Sequence, residues 1–285
     1  MPFNKSVFVT RSLSALVFGA IMLFGLFGND LVFTIIFFIV NILALREYAQ
    51  LIEKILQTSF TNNEKVNLIA IGIFIFVWIC SLPITVCTNN LNDFLRPYSF
   101  HLLGMTIGSL LVFFLFKKNA KSIYMLTGIG YISLALALLV HLRYQSNLLP
   151  MMLIFCIWMN DTMAYISGSF FGKIPFFPSI SPKKTWEGII GGTLFTIALA
   201  SVWGYLAKEF PMWQWMVFAL LASVIGNAGD LIESKLKRLA GVKDSGQTMP
   251  GHGGALDRFD SLLFAAPFAY LFALLCMSCL QVHFF

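Results

Sequence analysis

Residues 122–142 read SIYMLTGIGYISLALALLVHL, 21 consecutive positions without an Asp, Glu, Lys or Arg. The hydrocarbon core of a bilayer is crossed by about 20 apolar residues in helical form. Backbone amides in lipid must be satisfied within the segment itself, so this stretch is read as a membrane-spanning helix. Outward from it, comparable uncharged runs occur at 12–29, 31–45, 66–92, 97–116, 144–160, 188–207, 210–229 and 261–285. The fold expected is all-α, a polytopic integral membrane protein of about nine transmembrane helices. Runs one and two are separated only by Gly28-Asn29-Asp30 and read as a tight helical hairpin. The second should run on through Arg46 and Glu47, and the sixth should continue past Asp161 to Gly172.

The composition agrees. Of 285 residues, 58% are hydrophobic, 15% aromatic and 11% charged, with a mean hydropathy of +0.82. A soluble domain carries about 25% charged residues. Thirty Phe against 32 charges exclude a soluble enzyme, a disordered chain and a disulfide-rich secreted module. The first run lacks a small-residue cleavage site and the chain after it stays hydrophobic, so it is expected to remain as a span. The five cysteines, Cys80, Cys87, Cys156, Cys276 and Cys279, sit in or near apolar runs and read as small packing residues.

Lys and Arg placement sets the orientation. With nine spans, 16 of the 19 basic residues fall on the N-terminal side, and only Arg96, Arg143 and Lys208 on the other. The N-terminus is expected to be cytoplasmic and the C-terminus external. Residues 1–150, about five spans with short basic loops, read as scaffold. Residues 151–285, about four spans, hold the polar groups. Residues 230–260 alone carry ten of the 32 charges, all on the cytoplasmic side.

Three constellations carry chemistry. Asn160-Asp161 lies inside a span, where an ionisable residue marks a functional site by default; the alternative is a carboxylate satisfied by a neighbouring helix. Next, Ser181-Pro182-Lys183-Lys184-Thr185-Trp186-Glu187-Gly188 precedes the seventh span. Two lysines and a threonine at a helix N-terminus suit a phosphate, or equally a basic interfacial anchor. The third runs from Asp230. Glu233 and Ser234 follow at i+3 and i+4, on one helix face. After Lys235, Lys237, Arg238, Lys243 and Asp244 comes Pro250-Gly251-His252-Gly253-Gly254, and Asp257-Arg258-Phe259-Asp260 opens the last span. Carboxylates converging at one depth repel unless a cation lies between them. Oxygen-only ligands suit Mg²⁺, which takes one or two carboxylates plus substrate phosphates. His252 is read as a phosphate donor, a general acid/base or a turn residue. The three together point to metal-dependent phosphate chemistry on the cytoplasmic face, with a polyphosphate and a lipid as substrates.

The run from Ser234 to Asp260, with Lys237-Arg238, Lys243-Asp244-Ser-Gly246 and Pro250-Gly-His252-Gly253-Gly254-Ala-Leu-Asp257-Arg258-Phe-Asp260, resembles the signature of the CDP-diacylglycerol synthase (phosphatidate cytidylyltransferase) family over 27 positions. Met249 and Ala255 depart from its usual aliphatic residues without touching a polar group. Residues 160–172 and 181–188 also resemble the family's upstream stretches.

The resemblance implies transfer of CMP from CTP to phosphatidate with release of pyrophosphate. It implies Mg²⁺, with a monovalent ion such as K⁺ beside it. Asp230, Asp257 and Asp260 would be the metal ligands. Lys243, Asp244, His252 and Arg258 would join them in the catalytic group. Asp161, Ser181, Lys183, Lys184, Thr185, Ser234, Lys237, Arg238, Gly253 and Gly254 would bind substrate. No nucleic-acid partner is expected. A homodimer and a bacterial inner-membrane location follow from the same resemblance. A CTP-dependent polyprenol or phytol kinase is the nearest competing reading, and a secondary transporter the competing class. The transporter should show two related halves, which the chain lacks.

Overall fold

The computed structural model describes residues 5–82, 120–249, 251 and 253–277. Its helices are α1 (Lys5–Phe27), α2 (Asp30–Leu56), α3 (Asn62–Cys80), α4 (Lys121–Gln145), α5 (Leu148–Phe171), α6 (Trp186–Ala207), α7 (Met212–Leu239) and α8 (Leu256–Phe272, running on as a π turn, Ala273–Met277). Among the described residues, α2 through α8 are long and apolar enough to cross a membrane, and α1 has a shorter apolar stretch, Ser12–Phe27. Eight of the nine expected runs thus have a helix. The ninth, 97–116, lies outside the described residues, as do Arg96, Cys87, Cys279 and the C-terminus.

Local sequence explains the helix ends. Asn29 caps α2, its Oδ1 accepting from the Val32 amide at 2.9 Å. Thr61 and Glu64 form a reciprocal capping box at the start of α3. At that same end Lys121 donates to the Ser59 carbonyl at 2.9 Å and lies 3.8 Å from Glu64. At the opposite end His141 hydrogen-bonds the Leu82 carbonyl. The chain therefore leaves α3 and enters α4 at opposite ends of the bundle.

The α1–α2 hairpin forms as expected, and Arg143 of α4 closes it. Its guanidinium donates to the carbonyls of Leu26 and Gly28, both at 2.6 Å, and to Asp30 at 3.0 Å. The α1 C-terminus thereby gains the cation its dipole favours. Among the described spans, α4 is the most buried within the protein and α6 the least. Within the bilayer Ser133 of α4 donates to Asn41 of α2 at 2.8 Å. Aromatic residues cluster exposed near the helix ends: Phe170, Phe171 and Trp186 at one, Tyr205 and Trp213 at the other, as interfacial belts do.

Helices α5, α6, α7 and α8 form the most extensively packed group. Helix α6 meets α5 backbone to backbone. A Cβ on Gly192 would fall 2.7 Å from the Asn160 carbonyl oxygen, and one on Gly188 2.8 Å from that of Ala164. This glycine pair serves internal packing, while Gly104 and Gly108 lie outside the described residues.

One departure from the all-α expectation is a small antiparallel hairpin, β1 (Pro175–Phe177) and β2 (Ser181–Thr185). The Phe176 ring packs edge-on against Trp186 at 4.5 Å, and the Trp186 amide donates to the Ile174 carbonyl.

Candidate active site

The polar residues of α5, α7 and α8 line one cavity of about 210 Å³. Asp161, Asp230, Asp257, Asp260 and Arg258 contribute to its wall, with Ile157, Trp158 and Phe259. Helix α5 is continuous through Asp161 to a Gly172 cap, so the carboxylate enters the cavity from mid-helix. Helices α7 and α8 approach closely at Gly229, where a Cβ would fall 2.7 Å from the Asp260 carbonyl oxygen. That contact sets Asp230 beside the opening of α8.

Strand alternation sorts the two lysines. Successive side chains of a strand point to opposite faces. Lys184 turns inward, ion-pairs with Asp230 and reaches Asn227 Oδ1 at 3.4 Å. Lys183 is exposed on the other face. The expectation of two adjacent clamps thus resolves into one lysine in the site and one outside it. Thr185 is the N-cap of α6, accepting from the Gly188 amide at 3.2 Å. Ser181 opens β2 opposite Phe177.

The i, i+4 reading of Asp230 and Ser234 holds, with Ser234 donating to Asp230 Oδ1 at 3.2 Å. Lys237 is buried and divided between two acids. Its Nζ lies 2.8 Å from Asp257 Oδ1 and pairs with Glu233, which is fully buried. It is therefore engaged with protein carboxylates. Arg238 is exposed and donates to the Val242 carbonyl at the end of α7. Lys243 and Asp244 are exposed beside the loop.

Asp257 is held on both oxygens. Oδ1 receives Lys237. Oδ2 accepts from the Ser245 amide at 2.8 Å, the Ser245 hydroxyl at 3.0 Å and the Gly254 amide at 2.7 Å. Gly253 has φ +86, and a Cβ there would collide with Asp257. Its conformation is left-handed, which glycine adopts freely. His252 and Pro250 lie outside the described residues.

Among the described residues, no three His, Cys, Asp or Glu side chains form a ready metal cluster. Asp230 and Asp260 line the cavity together, and Asp260 Oδ1 accepts from the adjacent Ser261 amide at 2.6 Å. Two carboxylates plus incoming phosphate oxygens fit the ligand number of Mg²⁺. Asp230 would first release Lys184, and Asp257 would join them by releasing Lys237.

The sequence reading treats residues 1–150 as scaffold, whereas Phe18 and Met22 of α1 line the cavity and Glu47 of α2 reaches the signature loop. Glu47 accepts from Ser245, Thr248, Ala255 and Leu256. The signal was present, since Glu47 is an acid within a helix long enough to span. Tyr131, on the π turn Ile129–Leu134 of α4, was also missed. Among the described residues its buried hydroxyl has no hydrogen-bond partner, and its acidic neighbours are Asp260, Glu233 and Asp230. Mid-helix π turns frequently mark functional positions.

Residues 9–276 match the cytidylyltransferase family. Among similar proteins, the phosphatidate cytidylyltransferase of Bacillus subtilis is 48% identical over 115 residues, 40% of this chain and 43% of that relative. The enzyme of the same name from Aquifex aeolicus is 38% identical over 194 residues, covering 66% and 70% of the two chains. That from Staphylococcus haemolyticus is 31% identical over 226 residues, covering 77% and 86%. The match takes in the hairpin, the carboxylate cavity and every span described around them, and the chain belongs to the cytidylyltransferase family.

Proposed function

We propose that this chain is a phosphatidate cytidylyltransferase, converting CTP and phosphatidate to CDP-diacylglycerol and pyrophosphate. The observation that carries the reading is the convergence of Asp161, Asp230, Asp257, Asp260 and Arg258 from three spans on one cavity, in a family whose relatives bear that name. In the reaction a phosphatidate phosphate oxygen forms a bond to the α-phosphorus of CTP. The bond from that phosphorus to the β-phosphate's bridging oxygen breaks, and the electron pair leaves with pyrophosphate. A phosphate oxygen is already a nucleophile, so no covalent enzyme intermediate and little base are required.

The chain's task is to gather two anions and hold them in line. Such reactions are accelerated mainly by positioning and by charge placed where it develops. Arg258 lines the cavity where phosphate oxygens would sit, and Lys184 would reach them on releasing Asp230. Asp230 and Asp260 would hold Mg²⁺, with a monovalent ion such as K⁺ beside it. When bound, the metal would supply neutralisation of the triphosphate and of the departing pyrophosphate. His252 and Lys243 would serve as further phosphate donors. The site faces the cytoplasm in this reading, because the basic residues sort to that side. The bacterial relatives favour an inner membrane. The homodimer rests on the family resemblance, and light scattering of the detergent complex tests it.

The deciding experiment incubates the purified protein in detergent with labelled CTP, Mg²⁺ and phosphatidate. Labelled CDP-lipid is expected. CTP-dependent phosphorylation of a polyprenol or phytol, without CDP-lipid, would replace this reading with the kinase.

A further inference from the structure

We infer that Glu47 is a positioning residue for the active site: its carboxylate, carried on α2, caps the N-terminus of α8 and so fixes where Asp257, Arg258 and Asp260 stand. As a statement about catalysis this rests on the function proposed above.

Helix α8 begins without a cap of its own. Its N-cap position is Ala255, which makes no side-chain hydrogen bond, and a methyl group cannot accept one. The first amides of a helix need partners from elsewhere. Glu47 supplies them from 208 residues away. Its Oε1 accepts from the Ala255 amide at 2.9 Å and from the Thr248 hydroxyl; its Oε2 accepts from the Leu256 amide at 2.8 Å and from the Ser245 hydroxyl at 3.0 Å. A negative group there is also favoured by the helix dipole.

The enclosure is built around this side chain. Glu47 is 4% exposed. Gly246 and Gly254 pack against its carboxylate, and a Cβ at either would collide with it. The Ser245 hydroxyl lies 3.0 Å from both Glu47 Oε2 and Asp257 Oδ2. One residue thus bridges the cap to a carboxylate of the cavity. All four donors belong to the loop and the first turn of α8, so the carboxylate acts on the segment bearing the site.

Glu47→Gln is the informative change. The two hydroxyls can rotate to accept from an amide NH₂. The Ala255 and Leu256 amides cannot, so one of them is left facing a donor. Displacing reacting groups by about 1 Å can lower a rate about 100-fold. The purified variant, reconstituted with CTP and phosphatidate, is expected to lose roughly 10- to 100-fold in kcat with both KM values within about threefold of wild type. Hydrogen exchange should quicken in peptides covering 245–256 and stay unchanged in α4. Normal kcat overturns the inference. So does a loss of kcat accompanied by faster exchange throughout the bundle, which marks a general structural role. Should Glu47→Gln fail to fold, Thr248→Val removes one donor and keeps the charge. It should lower kcat severalfold and quicken exchange in the same peptides, and no change in either overturns the inference. A wild-type protein without cytidylyl transfer refutes the proposed function instead, and the exchange comparison then decides the cap by itself.

Discussion

Lys237→Met separates two roles for one lysine, phosphate clamp or internal counter-ion. Lys237 is shared between Asp257 at 2.8 Å and Glu233, whose side chain is fully buried. Among the described residues, Glu233 has no hydrogen-bond donor besides this ion pair. Methionine fills the same volume but leaves the buried Glu233 carboxyl without its counter-ion. Breaking a buried pair by removing one partner is destabilising by about 3–5 kcal/mol. At roughly 2–3 °C per kcal/mol for a chain of this size, the melting temperature should fall by about 6–15 °C. The assay is thermal unfolding in detergent, followed by the loss of the monodisperse peak. The control is Glu233→Gln in the Lys237→Met background. It replaces the unpaired carboxyl with a neutral amide and should recover about half of the loss, with the remainder due to Asp257. Two neighbouring changes that compensate in this way are the mark of direct coupling. A melting point within about 2 °C of wild type, or a double variant no better than the single one, refutes the counter-ion role and returns Lys237 to the substrate.

Lys184→Ala should raise the KM for CTP or lower kcat by at least tenfold, while Lys183→Ala stays within about twofold; equal effects in steady-state assays would contradict the strand geometry. Arg143→Met removes two bonds from a guanidinium to the carbonyls ending α1 and should lower stability by about 2–4 kcal/mol, with the half-exposed Asp30 pair adding little. Its KM values should not move, and a shift in them would tie the far end of the bundle to the chemistry. CTP binding should weaken at least tenfold when Mg²⁺ is chelated, read by equilibrium dialysis with labelled CTP. Undiminished binding in chelator would remove Asp230 and Asp260 as ion ligands.

The spans and the site were legible in the sequence to different depths. Hydropathy reports a segment's fitness for lipid, so the helices and the α1–α2 hairpin follow directly from uncharged runs. The i, i+4 pairing of Asp230 and Ser234 was legible because helix geometry is local. What hydropathy cannot carry is the partner of a buried charge. Lys237 reads as one more basic residue near a helix end until Glu233 and Asp257 are seen on either side of it. Lys183 and Lys184 look equivalent until β2 turns them apart. The hairpin itself escaped notice because nothing apolar and periodic marks five residues of Ser-Pro-Lys-Lys-Thr. Glu47 was visible as an acid in a span, but its donors lie about 200 positions away, and no local rule connects them.

These pairings also explain why the site needs so many elements. A carboxylate in a bilayer span is tolerated when it is paired or faces a wetted cavity. Each acid here meets one of those conditions through a different part of the chain. Asp230 is matched by Lys184 from the hairpin, Asp257 by Lys237 from α7, and Glu47 by the backbone of α8 itself. Asp161 and Asp260 open on the cavity. No single helix could supply this, because like charges at i, i+4 spacing repel and every added charge would have to be matched along the same helix. Distributing acids and cations over α2, the hairpin, α5, α7 and α8 gives Asp230, Asp257 and Glu47 each a partner from another element. The same distribution brings Asp161, Asp230, Asp260 and Arg258 to the wall of one cavity.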